Sequence, residues 1–253
     1  MTETQFKHKC GGFEKENLMY LSKNQSSDDL QIKIRELKKQ LRSVMNGVAS
    51  SSMSERGLGY KVNYGVPLTI IKQIAAKTEK NHDLAQLLWM ENVRELNILA
   101  TIIQPVDTFT VQLANSWVNR ITQFEQAEQA CMNLFQHLSF ASALIFDWLK
   151  SDSDLIRFTA WHLLARITKK EITIDNQQFK FILQVAFNDL DCANIALFNA
   201  ALLGLKRVGV MNTNFAYSIL KSIEIHSFSN PELKLQLFND LKFEFDYYGL
   251  TSL

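Results

Sequence analysis

Apolar residues recur at intervals of three and four positions along most of this chain, which is the spacing of one face of an α-helix. The first such stretch predicts a helix over residues 28–46, which Ser27 or Asp28 can cap. Its apolar stripe consists of Leu30, Ile34, Leu37, Leu41 and Val44. Its opposite face is basic and consists of Lys33, Arg35, Lys38, Lys39 and Arg42.

The rest of the chain repeats this pattern in short helical stretches. Residues 47–65 are predicted to be irregular or only briefly helical, and a short helix follows Pro67, whose missing N–H suits a first turn. Further helices are predicted over residues 82–90, 92–104, 108–120, 122–138, 139–150, 153–168, 175–189, 191–208, 213–225 and 231–247. The expected helix caps are Asp107, Asp152 or Ser153, Thr213 and Asn230, with Gly209 as a C-terminal stop.

About ten short helices in series, joined by short links, favour antiparallel neighbours. The chain has only nine glycines and three prolines, too few for the turns of a strand-rich fold. Counted in helix pairs, the sequence period is roughly 30–45 residues, the range of HEAT-like and armadillo repeats. We therefore predict an all-α superhelix of HEAT-like repeats, with an irregular helical bundle as the alternative. Residues 1–25 are expected to form a flexible N-terminal segment, and residues 26–253 a single HEAT-like repeat domain.

Composition narrows the class of protein without identifying a function. Hydrophobic residues make up 47% of the chain and charged residues 21%, as in an ordinary globular protein. No apolar run is long enough to span a membrane, and Met1–Lys9 lacks the apolar core of a secretory signal. The three cysteines are odd in number and widely spaced, so neither a disulfide framework nor a metal site is expected, and we predict a cytoplasmic protein without metal or cofactor.

Charge is unevenly distributed along the chain. Residues 1–80 carry 14 Lys and Arg against 8 Asp and Glu, whereas residues 81–253 carry 13 against 18. The basic first third is weak support for a nucleic-acid partner, since solvated helix faces would give the same pattern.

Several short segments of the sequence are similar to the motifs of a known protein family. The likeness covers roughly residues 30–210, with specific motifs only within residues 45–100. The segments that carry it are Met45–Ser50, Tyr60–Val66, Pro67 followed by Ile70, Ile71 and Lys72, and Leu87–Trp89 followed by Glu91, Arg94, Glu95 and Ala100. The chain resembles the HEAT-like-repeat DNA alkylation repair glycosylases of the AlkD type.

The resemblance implies a DNA repair protein that holds duplex DNA in a concave groove. Members of this family remove cationic alkylpurines, such as 3-methyladenine and 7-methylguanine, by hydrolysing the N-glycosidic bond without a cofactor. Aromatic rings attract the cationic base, and a fixed carboxylate stabilises positive charge that develops on the sugar. The expected partner is alkylated duplex DNA, bound by a monomer. The alternative is a catalytically silent HEAT-like scaffold that binds DNA structures or a protein partner.

The family's catalytic pair is an aromatic residue followed four positions later by an aspartate, which places both on one helix face. By the resemblance, Phe124 takes the aromatic position and Glu128 the position of the acid, so both residue types are kept with different identities. The family's second aromatic falls near Leu203, where no aromatic stands, although Phe198 is close in the sequence.

Six cations are candidate ligands for DNA phosphates. Arg157 follows Trp148 as a phosphate-binding arginine does in the family, although it could equally pair with Asp154 or Asp152. The other five lie toward the C-terminal ends of predicted helices, where the helix dipole favours cations in any case. They are Arg166, Lys169, Lys170, Lys206 and Arg207.

The remaining conspicuous residues are interpreted as structural. The four tryptophans fit apolar stripes and are predicted to lie in the core, and His162, between Trp161 and Leu163, is interpreted as a structural residue. No phosphate loop, nucleophile elbow or zinc cluster is present in the sequence.

Overall fold

The computed structural model describes residues 27–169 and 172–251, and within them the backbone is helical with no β-strand. A parallel bridge joins Val62 to Val93. The helices are α1 Ser27–Ser43, α2 Gly47–Glu55, α3 Leu68–Ala76, α4 His82–Met90, α5 Arg94–Ile103, α6 Val111–Arg120, α7 Phe124–Asn133, α8 Ala141–Trp148, α9 Asp154–Ile167, α10 Asn176–Leu190, α11 Ile195–Gly209, α12 Thr213–Ile225 and α13 Pro231–Tyr247. None of them combines the length and the apolar character that crossing a membrane requires.

The predicted all-α class is confirmed, but several predicted boundaries were wrong. The stretch predicted as one helix over residues 122–138 leaves the helical conformation at Leu134 and continues as a tighter 3₁₀ turn, Phe135–His137. The helix predicted from residue 108 starts at Val111, because Thr110 rather than Asp107 accepts the hydrogen bond that caps it.

Other caps also differ from prediction. Asn212, one residue before the predicted Thr213, caps α12 by accepting from the Phe215 N–H. Ser153 precedes α9 without a side-chain capping bond, whereas Asn230 caps α13 as predicted. The prediction of a flexible segment over residues 1–25 lies outside the described residues.

The described chain packs as two compact units, which meet in sequence between Phe109 and Thr110. In the first unit, α1, α3 and α4 all pack against α5. Helix α5 is buried over nearly its whole length, and its charged residues Arg94 and Glu95 are buried with it. Glu95 accepts hydrogen bonds from the backbone N–H groups of Tyr64 and Val66, and Arg94 donates to the Val66 carbonyl and to Glu95. The buried ion pair therefore fixes the extended segment that precedes α3.

In the second unit, α9 lies at the centre and packs against α6, α7, α8 and α11. Trp161 on α9 is fully buried, and a methyl group added at Gly204 on α11 would lie 2.5 Å from its ring. Only a glycine therefore lets α11 approach α9 this closely. All four tryptophans are buried, which confirms their predicted place in the core.

Candidate nucleic-acid interface

Two facing helices of the second unit bring the predicted catalytic residues together with Arg166, a predicted phosphate ligand, and with Phe158 and His162, which sequence analysis had not assigned to the site. Phe124 and Glu128 stand one turn apart on α7, and Phe158, His162 and Arg166 stand at four-residue intervals on α9. Residues four apart lie on one helix face, and α7 packs directly on α9. We call these five residues the aromatic–carboxylate cluster.

The aromatic members of the cluster form a continuous row. The Phe124 and Phe158 ring centroids are 4.6 Å apart, and those of Phe158 and His162 are 4.3 Å apart, both in tilted arrangements. The His162 Nε2 atom lies 3.9 Å from Glu128 Oε1. Phe124 is 37% exposed and the Glu128 side chain 46% exposed. The series of contacts from Phe124 through Phe158 and His162 to Glu128 is therefore accessible to solvent at both ends.

Burial sets the protonation of the cluster. It raises the pKa of Glu128, an effect that neighbouring Glu125 strengthens and the positive charge of Arg166 opposes. It also lowers the pKa of His162 from its ordinary value of 6.5 to about 4, with Arg166 acting in the same direction. At neutral pH His162 is therefore an uncharged imidazole beside Glu128, and the two do not form an ion pair.

Arg166 is the cation of the cluster, and it attracts the Glu128 carboxylate electrostatically without forming an ion pair with it among the described residues. Its Nε atom is buried and has no hydrogen-bond partner among residues 27–169 and 172–251. A guanidinium with spare donors is suited to an anionic ligand such as a phosphate. Lys169, one turn further on, is exposed and likewise has no ion pair within the described residues, whereas Lys170 lies outside them.

Arg157, in contrast, is fully engaged within the protein. Its Nε donates to Asp189 Oδ1 at 2.9 Å, its Nη1 to the Ser151 carbonyl at 2.8 Å and its Nη2 to Asp154 Oδ1 at 2.7 Å. The other oxygen of Asp189 accepts from the Trp161 indole N–H at 2.8 Å. The ion pair with Asp154 is the alternative that the sequence left open, and Asp189 is a partner that the sequence did not indicate.

Lys206 and Arg207 are also paired, both with carboxylates of α13. Lys206 Nζ lies 2.8 Å from Asp240 Oδ1, and Arg207 Nη1 lies 3.9 Å from Glu244 Oε1. Arg207 and Lys169 line the same cavity of about 410 Å³, beside the ring of Tyr248. Of the two cations that line this cavity, Arg207 has an ion pair with a carboxylate, whereas Lys169 has none in the described part of the chain.

The family's second aromatic position remains without an aromatic ring. Leu203 is half-buried next to Gly204, and Phe198 is half-buried in the first turn of α11. The ring that contacts Phe124 instead is Phe158, which is buried, and His162 contacts Phe158 in turn. Phe158, His162 and Arg166 follow one another at intervals of four residues, which is visible in the sequence. Buried faces of ordinary helices have the same spacing, so it did not identify these residues as part of a site. Among residues 27–169 and 172–251, no three His, Cys, Asp or Glu side chains are grouped so as to hold a metal ion.

Comparisons with known proteins agree with the fold. A family model described as DNA alkylation repair enzyme matches residues 37–194, more than half of the chain. A solved structure described as a new family of proteins related to the HEAT-like repeat DNA glycosylases, with affinity for branched DNA structures, superposes with a TM-score of 0.69 at 14% sequence identity. The match covers 84% of this chain and 94% of that one, and it confirms the predicted HEAT-like repeat fold. No match was found among curated protein sequences.

Proposed function

Because the chain belongs to the DNA alkylation repair enzyme family, we propose that it binds duplex DNA and excises cationic alkylpurines at the aromatic–carboxylate cluster. The observation that carries this proposal is a half-exposed carboxylate, Glu128, one helical turn from an exposed aromatic ring, Phe124, and close to a cation, Arg166, whose Nε has no hydrogen-bond partner among the described residues. The free thiols of Cys131 and Cys192 support a reducing, cytoplasmic setting.

The cluster offers a distinct role to each charged or aromatic member. The exposed ring of Phe124 is a surface on which a cationic alkylated base can rest through cation–π attraction. The Glu128 carboxylate would stabilise positive charge on the sugar as the N-glycosidic bond lengthens, and it can orient the water that attacks. His162, being neutral, adds no positive charge that would repel the base.

The cations differ in how readily they can bind phosphate. Arg166 and Lys169 have no carboxylate partner among the described residues, so a phosphate would not have to displace one. Arg157, Lys206 and Arg207 would each have to share or exchange an existing partner. We therefore assign the main phosphate contacts to Arg166 and Lys169, and a secondary role to the three paired cations and to Lys170.

The binding part of the proposal is tested by salt dependence. Fluorescence anisotropy with a labelled duplex, measured between 50 and 200 mM salt, should give a log–log slope of about 0.9 per phosphate contact. Arg166→Ala should weaken binding and reduce the slope by about 0.9. Lys221→Ala is the charge-matched control, since Lys221 is an exposed lysine of α12 outside the cluster. An affinity that does not change with salt would point to a protein partner instead.

The catalytic part is tested by release of free base from methylated duplex DNA, followed by chromatography over time. Glu128→Gln keeps the shape of the side chain and removes its charge, and we expect at least a ~100-fold loss of 7-methylguanine and 3-methyladenine release. Neutral damaged bases should not be released by either protein. If wild type and Glu128→Gln release base no faster than buffer, the catalytic assignment fails while the binding assignment stands.

Two observations favour a second candidate, a DNA-structure binder without excision activity. Leu203 leaves the cluster without the family's second aromatic, and the solved relative is described as having affinity for branched DNA structures. This candidate predicts salt-dependent binding with no base release, and a lower dissociation constant for a forked DNA than for a duplex of equal length. The two assays above, run on the same preparation, therefore separate it from the glycosylase.

A further inference from the structure

The turn between α1 and α2, together with the first turn of α2, exposes a group of apolar side chains that the proposed function does not use. Val44, Met45 and Val48 are 43%, 58% and 83% exposed, respectively. Side chains of this size are usually buried in a folded domain, and adjacent exposed ones mark a surface that contacts another molecule. We call these three residues the apolar turn.

The backbone of the apolar turn is held in place by several contacts. The Asn46 N–H donates to the Tyr64 carbonyl at 2.8 Å, and the Asn46 side chain caps α2 by accepting from the Ala49 N–H. Gly65 has a φ of +68°, and a Cβ there would lie 2.1 Å from the Asn46 carbonyl oxygen, so the two backbones are in direct contact. The Ser50 hydroxyl adds a hydrogen bond to the Asn63 carbonyl. The apolar side chains therefore project from a fixed support.

A cationic cleft adjoins the same support. Lys38, Arg42 and Lys61 line a cleft of about 330 Å³ together with Tyr64 and Glu91. Lys38 pairs with Glu91 at 2.8 Å. Arg42 Nε donates to the Tyr64 hydroxyl at 3.3 Å, and its guanidinium lies 5.8 Å from the centre of that ring. Arg42 and Lys61 are exposed, and neither has an ion pair within the described residues.

Backbone contacts place the apolar turn and the cationic cleft side by side. Met45 follows Arg42 by three residues and its N–H donates to the Arg42 carbonyl, while Asn46 is bonded to Tyr64, which also lines the cleft. A surface with cations beside protruding apolar side chains matches the two faces of a nucleic acid, phosphates and bases. Proteins that kink DNA use apolar side chains in this way, as wedges between base steps.

We propose that this surface of the first unit binds DNA where bases are unstacked, with Arg42 and Lys61 on the phosphates and Met45 and Val48 against exposed base faces. The inference rests on the proposed DNA binding and adds to it a contact that distinguishes fork from duplex. Wedging into an intact duplex requires unstacking a base step, which opposes binding. At a fork or gap the bases are already unstacked, so the same apolar contact forms without that cost.

The test measures affinity for a forked DNA and for a duplex of matched sequence and length, by anisotropy at a single salt concentration. Wild type should bind the fork about 10-fold more tightly, and the double variant Met45→Ser, Val48→Ser should lose that difference while keeping its affinity for the duplex. Ile195→Ser is the matched control, because Ile195 is 75% exposed on α11 of the other unit.

Each outcome has a separate meaning. If wild type binds neither DNA, the proposed function itself fails. If it binds both DNAs but the double variant keeps the full fork preference, the wedge is wrong while DNA binding stands. If the double variant instead loses only its binding to vesicles of anionic phospholipid, the surface is a lipid contact and the inference is overturned.

Discussion

Acidification should destabilise the second unit through His162. Its side chain is 17% exposed, and burial holds its pKa near 4, below the ordinary value of 6.5. Because the folded state binds the proton more weakly than the unfolded state, His162 contributes its full stability above pH 6.5 and loses it as the pH falls toward 4. At 1.36 kcal/mol per pKa unit, the loss amounts to about 2 kcal/mol by pH 5 and about 3 kcal/mol by pH 4.

Urea unfolding followed by circular dichroism at pH 7, 6, 5 and 4 measures this loss, with His162→Gln as the comparison. The variant loses ring contact with Phe158 and should be less stable at pH 7, but its stability should fall less steeply with pH. Other carboxylates and histidines titrate in both proteins, so the difference between the two curves isolates His162.

Glu128 acts in the opposite direction and needs its own control. Its pKa is raised by burial, so protonation as the pH falls removes an unfavourable buried charge and adds stability. Repeating the comparison between Glu128→Gln and the double variant Glu128→Gln, His162→Gln removes that contribution. If stability falls equally with and without His162 in both backgrounds, the buried neutral imidazole is the wrong description, and a proton NMR titration of His162 would then give a pKa near 6.5.

Three further predictions concern residues whose contacts stabilise the unit in which they lie. Gly65→Ala should cost at least ~2 kcal/mol, since a Cβ would meet the Asn46 carbonyl and a positive φ is strained for alanine; a normal urea midpoint would refute this. Glu95→Gln should cost about 3–5 kcal/mol by removing the buried negative charge that Arg94 and the Tyr64 and Val66 N–H groups contact, and rapid proteolysis before α3 should accompany it. Asp189→Asn should destabilise the second unit by ~3 kcal/mol, because this buried carboxylate holds both an arginine and an indole N–H; Asp152→Asn, at an exposed position, is the control.

Most of the helices were predictable because each of them has a continuous apolar face, and that pattern depends only on neighbouring positions. Helix α2, which has no buried residue, lies in the stretch that was expected to be irregular or only briefly helical. Their ends were less predictable because they depend on single hydrogen bonds. Thr110 rather than Asp107 caps α6, and the helix expected to continue through Leu134 ends there, although no glycine or proline marks the position. Nothing in the local sequence distinguishes these choices.

The candidate site was predictable in part for a similar reason. Phe124 and Glu128 share a face by their spacing alone, and the structure leaves Phe124 exposed and Glu128 half-exposed. The partner of Arg157, in contrast, is Asp189, which lies 32 residues away on another helix. Local charge spacing suggested only Asp154 and Asp152. Glu91, Arg94 and Glu95, which helped to carry the family resemblance, are engaged in ion pairs within the first unit.

Helix α5 has almost no surface in contact with water, and this has consequences for how the first unit moves and varies. The backbone amides of residues such as Ile98 and Leu99, which are at most 1% exposed, can exchange with deuterium only when the surrounding helices separate. Their exchange rates therefore report the opening of the whole unit, whereas those of α2, which has no buried residue, report local fraying. A tag or inserted loop belongs near α2, and a library that randomises α5 will mostly yield unfolded protein.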